Sequence, residues 1–246
     1  MWFRLFFAFL ISCSIFNFGC SGTSELPDDP AALFAEAQRY ENDERYEEAL
    51  RRYNDLKNRF PYSSYAVRAK LSLADVYYKQ ESYAEAQLSY QTFREFHPRH
   101  PQTDYVIYQT GMSYFKQLPS SIDRDLTLAE DAIASFEELE RTFPKSSYLK
   151  ESRERREEAL KMLADKEKYI ADFYFIRKKW ESALERYKTL YERFKDVAYE
   201  SYSLSRLAIA ANKLGERDEA QKYYNLLKVR FPQSQELERA QEELQK

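Results

Sequence analysis

The chain repeats itself. Five segments align without a gap: EEALRRYNDLKNRFP (47–61), AEAQLSYQTFREFHP (84–98), EDAIASFEELERTFP (130–144), ESALERYKTLYERFK (181–195) and DEAQKYYNLLKVRFP (218–232). Each carries an alanine: Ala49, Ala86, Ala132, Ala183, Ala220. Four residues on stands an aromatic: Tyr53, Tyr90, Phe136, Tyr187, Tyr224. Three further on comes Leu56, Phe93, Leu139, Leu190 or Leu227. Offsets of 4 and 7 place these side chains on one helical stripe. A proline ends four of the five segments, because it lacks a donor and bars helix in the residue before it. In the fourth, Lys195 stands in its place.

A second helix is written before each stripe. Twelve residues ahead of the alanine is another small residue: Ala37, Ala74, Ala171, Ala208. Three on follows Tyr40, Tyr77, Tyr174 or Ala211. In the third repeat Gly111 and Tyr114 take these places, with an insertion before Ala132. Small residues are needed where two antiparallel helices touch. Ser82-x-x-Glu85 and Thr127-x-x-Glu130 read as capping boxes. Gly215 sits where a left-handed helix end is needed. No proline occurs between Pro144 and Pro232 and no glycine between Gly111 and Gly215, so residues 146–179 read as one long helix. Its end supplies the first helix of repeat four, and its charges read as a solvated face with i, i+4 pairs.

A small residue, an aromatic, an alanine, an aromatic and a proline within about 34 residues resemble the tetratricopeptide repeat. The expected fold is all-α, an α-solenoid of five tetratricopeptide-like helix pairs. Residues 31–146 hold repeats one to three. Residues 147–246 hold the long helix with repeats four and five. Such solenoids bind peptides or domains on a concave surface lined by the first helix of each repeat. Counting from Ala37, Ala74 and Gly111, the inward rings are Phe34, Tyr78, Tyr105, Tyr108 and Phe115, candidate partner-binding residues. Each of these rings also suits an inter-repeat core.

The N-terminus differs. Residues 1–19 have one charge, Arg4, and an apolar run, the layout of a secretory signal. The run ends in Gly19–Cys20, as lipoprotein signals do, so Cys20 is the expected lipidation site. Asn17 departs from the usual aliphatic residue. Cys13, in LISC, fits that local pattern but leaves a short apolar core. Residues 20–30 read as a polar tether.

Chemistry is sparse. Both histidines, His97 and His100, lie in HPRHP with Asp104 four residues on. Pro98 and Pro101 break any shared helix face, and no cysteine or further histidine completes a metal set, so the segment reads as a turn. His97 holds the place of Phe60, Phe143, Phe194 and Phe231 in the other repeats. No Gly-rich phosphate loop or nucleophile–base pair is present, so no catalytic residue and no cofactor is expected. Adjacent acids such as Glu47–Glu48 and Glu137–Glu138 read as solvated. A net charge of −3 gives no reason to expect nucleic acid.

HPRHPQTDYVIYQTG (97–111) resembles the BamD family, the tetratricopeptide lipoproteins of the β-barrel assembly machinery. That family shows H-P-x-H-P-x-x-D-Y-V-x-Y-x-x-G at this place, and every fixed letter is here. GCSG at the start, five repeats, the D-R-D element at Asp123–Asp125 in the third-repeat insertion, and the long helix are shared too. The resemblance implies a non-enzymatic lipoprotein on the periplasmic face of the outer membrane. Its C-terminal repeats would bind a BamA-type barrel subunit, alongside other lipoproteins of the machinery. Its N-terminal repeats would help receive unfolded outer-membrane proteins. The periodicity alone also fits a periplasmic scaffold of cell division or pilus assembly.

Overall fold

Every repeat folds as two antiparallel helices, and each helix packs on those before and after it in the chain. The computed structural model describes residues 28–245; Cys20, the signal and most of the tether lie outside them. Repeat one is α1 (Pro30–Asn42) and α2 (Tyr46–Arg59), repeat two α3 (Ser64–Lys79) and α4 (Tyr83–Phe96), repeat three α5 (Thr103–Lys116) and α6 (Thr127–Thr142). Repeat four is α7 (Leu149–Ile176) and α8 (Trp180–Phe194), repeat five α9 (Glu200–Leu214) and α10 (Arg217–Arg230). An eleventh helix, α11 (Gln235–Leu244), packs on α9 and α10 and covers the last repeat, an element the repeat pattern does not encode.

The repeat letters are packing positions. The alanines of both helices are at most 1% exposed, from Ala37 and Ala49 to Ala208 and Ala220. Gly111 lies against the Phe136 ring so closely that a Cβ built there would meet Cε1 at 2.7 Å. The fifth repeat departs from the pattern. Tyr223, not Tyr224, joins Ala220 and Leu227 as the buried ring, and Tyr224 is half-buried. Tyr224 packs, partly buried, against the cluster that spans repeats four and five.

Each first helix of repeats one, two, four and five ends alike. A left-handed residue follows it: Glu44 (φ 58°), Glu81 (63°), Lys178 (57°) or Gly215 (82°). The next N–H then reaches back five residues, from Arg45, Ser82, Lys179 and Glu216 to the carbonyls of Tyr40, Tyr77, Tyr174 and Ala211 at 2.8–3.0 Å. This is the Schellman closure. Gly215 takes its expected left-handed role, and three charged residues do the same without glycine.

That turn also decides where caps form. The expected capping boxes do not. Ser82 leaves the turn with ψ 66° and makes no side-chain bond to α4; its hydroxyl accepts from Gln80. Thr127 is already helical, and Asp125 accepts from its N–H (3.0 Å) and its hydroxyl (2.7 Å). A side-chain cap needs an extended N-cap residue. Asp29, Ser63 and Ser234 are extended, and each caps its helix.

The prolines act as expected. Phe60, His97, Phe143 and Phe231 precede one, and all leave the helix with nearly the same angles, φ −127 to −135° and ψ 54 to 65°. Where Lys195 replaces proline the chain stays αR, and Tyr199 takes φ 65° before α9 begins.

Candidate partner-binding surfaces

The five predicted rings divide into two places. Phe34 is 4% exposed in repeat one, against Tyr53 (5.5 Å) and Tyr65 (5.7 Å), with the Arg68 guanidinium over its face at 4.2 Å. Tyr78, Tyr105, Tyr108 and Phe115 gather between α3, α5 and the first turns of α7. Tyr108 is 8% exposed and stacks on Tyr148, centroids 4.8 Å apart. Burial first, then the Glu151 carboxylate beside it, pushes its hydroxyl above the ordinary tyrosine range. Burial likewise pushes Tyr78 up to about 12. Arg155 of α7 sits over Phe115 at 5.7 Å. Tyr78, Tyr105 and Phe115 keep part of their surface open. Nothing in the repeat pattern signals Tyr148, because it lies in the repeat-three to repeat-four connection.

Two carboxylates join neighbouring repeats in one recurring arrangement. Asp75 Oδ1 accepts from Tyr90 (2.6 Å) and Tyr105 (2.8 Å). Asp172 Oδ1 accepts from Tyr187 and Tyr202, both at 2.6 Å. In each set the acid is on the first helix of a repeat, one ring is on its second helix, and the other opens the next repeat. Repeat one achieves the same link differently: Tyr53 donates to Glu41 (2.6 Å), which is paired with Lys79 of α3 (2.7 Å). The acids were visible in the sequence as Ala-Asp in LADVYY and IADFYF, at matching places.

The histidine–proline turn is built into this framework. His97 and His100 both contact the Phe93 ring, centroids 5.0 Å apart. The Thr103 hydroxyl donates to the His100 carbonyl (2.6 Å), and Ser146 donates to Asp104 (2.8 Å), tying the turn to the next one. Burial, ahead of Lys70 and His100, lowers the His97 pKa. The D-R-D element docks on the long helix through Lys166, which donates to the Arg124 carbonyl at 2.5 Å.

Charges on α7 do more than face solvent. Lys161–Asp165 and Lys168–Asp172 are the expected i, i+4 pairs. Arg153 and Arg156, however, both bridge to Glu140 of α6. Glu138 of the same helix holds Arg94 of α4 in a two-pronged pair, so it is not merely solvated.

Two apolar surfaces stand open. Tyr169, Phe173 and Ile176 form a helical stripe on the far half of α7, 60%, 42% and 75% exposed. Leu88 and Phe96 edge a groove of about 390 Å³ between α2, α3 and α4, with Lys57 and Lys70 on its walls.

The fold defines a class: a tetratricopeptide-type helical solenoid, here with two apolar surfaces left open. Residues 27–227 match the family model YfiO, outer membrane lipoprotein, and the chain belongs to that family. It is 31% identical to the outer membrane protein assembly factor BamD of Neisseria meningitidis serogroup A over 82% of this chain and 79% of that one. It is 26% identical to the BamD of Vibrio cholerae over 86% and 92%. The structure of the TPR2AB-domain:pHSP90 complex of yeast Sti1 shares 17% identity over 87% of this chain and 81% of that one, with a TM-score of 0.45.

Proposed function

We propose that this protein is an outer membrane protein assembly factor: a non-enzymatic, lipid-anchored scaffold on the periplasmic face of the outer membrane. The observation that carries the reading is membership of the outer membrane lipoprotein family across residues 27–227. Cys20 holds the lipid. The N-terminal repeats receive unfolded outer-membrane proteins, with Tyr78, Tyr105 and Phe115 offering ring surface beside the buried Tyr108, and Phe34 packed separately within repeat one. Aromatic rings give contact area at low entropic cost. The C-terminal repeats bind a BamA-type barrel subunit, with other lipoproteins of the same machinery beside it. The exposed stripe of Tyr169, Phe173 and Ile176 supports a docked partner there, since an apolar stripe of that kind marks interaction surfaces.

The test is purification of the tagged protein from membranes, with identification of what comes with it. A barrel-forming subunit in stoichiometric amount is the expected result. Its absence, with a cell-division or pilus protein in its place, overturns the reading.

A further inference from the structure

The ends of the helices sort the solenoid into two edges. First helices begin, and second helices end, on one edge; the turns inside each repeat lie on the other. The Arg59–Asp28 pair at 3.0 Å fixes which edge the tether joins: the end of α2 sits beside the entry to α1. The groove between α2 and α4 carries the relation to repeat two, because Lys57, in the last turn of α2, and Phe96, ending α4, share it. The same edge therefore bears the turns at residues 60–63 and 97–102.

Their tips are unusual. Tyr62 is 101% exposed and Phe96 is 69% exposed. Around them stand Pro61, Pro98, Arg99 and Pro101, all exposed. Tyr62 protrudes from the tip of its turn, while Phe96 closes α4 at the base of the next turn, at the mouth of the groove it edges. An aromatic with a polar end, flanked by an arginine, suits the headgroup level of a membrane, where apolar and wet surroundings meet.

The tether favours one edge for the surface that holds the lipid. Asp28 lies eight positions after Cys20, and eight fully extended steps reach at most roughly 28 Å. Presenting the opposite edge would take up roughly 20–24 Å of that reach along helices of 13–16 residues and leave the tether almost fully extended, so a relaxed tether favours the near edge. Resting on the Cys20 anchor of the proposed function, we infer that the edge formed by Tyr62 and Phe96 lies against the phospholipid surface that holds the lipid. One or two rings bind a membrane weakly by themselves. A short tether raises their effective concentration at the surface, so a weak contact is enough to orient the solenoid.

The experiment uses the full acylated protein in vesicles of phosphatidylethanolamine and phosphatidylglycerol, with and without brominated acyl chains. Tyr62→Trp reports the near edge, Phe96→Trp repeats the measurement, and Asn42→Trp reports the far edge of the same repeat; Trp180 is common to all and is subtracted with the parent protein. The expected result is a blue shift and loss of emission for the first two in brominated vesicles, and neither for Asn42→Trp. Mass spectrometry of the N-terminus separates the two ways of failing. A protein acylated at Cys20 whose near-edge and far-edge reporters respond alike overturns the membrane contact and leaves the anchor standing. A protein without acyl chains on Cys20 overturns both. A photo-cross-linker at position 62 that captures a polypeptide in native membranes, and no lipid, overturns the contact in favour of a protein partner.

Discussion

Tyr90 of α4 and Tyr105 of α5 donate to the same oxygen, Oδ1 of Asp75, at 2.6 and 2.8 Å. One carboxylate on α3 thus holds a ring from its own repeat and a ring from the next. Tyr187 and Tyr202 do the same to Asp172. The spacings agree: each acid stands 15 residues before its first ring and 30 before its second. Repeat-to-repeat angle is therefore set by charge-assisted hydrogen bonds as well as by the small-residue contacts.

The two acids respond to pH in opposite directions. Burial raises the Asp75 pKa above the ordinary aspartate value of 3.8, and the two tyrosine bonds offset only part of that. Burial would raise Asp172 too, but bonds from Lys168, Tyr187 and Tyr202 outweigh it and hold it below 3.8. A raised acid favours the fold when protonated, so the Asp75 contribution falls as pH rises from 3.8 through its folded pKa. A lowered acid contributes above 3.8 and loses that contribution as pH falls through its folded pKa. Asp172→Asn should therefore cost more at pH 7 than at pH 3, and Asp75→Asn should cost less at pH 7 than at pH 3. Denaturant unfolding at the two pH values measures both; slopes of the same sign would contradict the assignment.

Much of this was legible because the repeat forces it. Ala49, Ala86 and their equivalents must be small, and a period of 4 and 7 reads as a helix face. The long α7 was legible from missing breakers. The caps were not: Ser82-x-x-Glu85 has the right letters, but the preceding Schellman turn fixes ψ at a value a cap cannot use. Nor was α11, which repeats nothing. Of the candidate rings, four gather in one place, since they sit on neighbouring first helices. Their contact with Tyr148, Glu151 and Arg155 was hidden, because it depends on how α7 leans across α5.

The left-handed turn residues offer a stability test. Lys178 holds φ 57° without glycine, and the left-handed conformation costs a residue with a Cβ about 1–2 kcal/mol. Lys178→Gly should recover about 1 kcal/mol after the entropy of glycine is set against it. For a chain of this size that is a rise of roughly 2–4 °C in Tm. Gly215→Val at the equivalent turn should lower it. Calorimetry on both variants checks the sign.

Close packing at Gly111 makes a sharper test, because two effects oppose. Gly111→Ala gains helix propensity of about 1 kcal/mol. It also drives a Cβ into Phe136, a ring 1% exposed with no room to retreat. Overpacking of this kind costs about 1–3 kcal/mol, so a net loss is expected. Adding Phe136→Leu should restore part of it. Ala86→Trp and Ala183→Trp, at positions 0% exposed, should lose more than Gly111→Ala.

Among the predicted binding rings, burial separates floor from surface. Tyr108→Ala empties a stacked, 8% exposed site and should cost about 3–5 kcal/mol, with a clear fall in Tm. Phe115→Ala removes a half-buried ring and should cost less. If the N-terminal repeats receive clients there, Phe115→Ala weakens binding of client C-terminal peptides while the helix content seen by circular dichroism is kept. Unchanged affinity in a folded Phe115→Ala protein would remove that ring from the binding surface.

The α7 stripe separates partner binding from folding most cleanly. Ile176 is 75% exposed at the end of the helix, and Tyr169 is 60% exposed two turns earlier. Neither belongs to a buried cluster, so replacing them should shift stability by about 0.5 kcal/mol or less. Phe173 between them is covered by Arg177, whose guanidinium lies 3.6 Å from the ring centroid, which keeps the stripe amphipathic rather than greasy. Tyr169→Ala with Ile176→Asp should leave the melt unchanged. It should reduce co-purification of the barrel subunit by about tenfold or more if the pair forms the centre of the contact, since central rings and aliphatics carry 2 kcal/mol or more at interfaces. The same variant should leave binding of client peptides at the N-terminal repeats as it was. Loss of both bindings together would point to a collapsed solenoid, and retention of both would move the barrel-subunit contact away from α7.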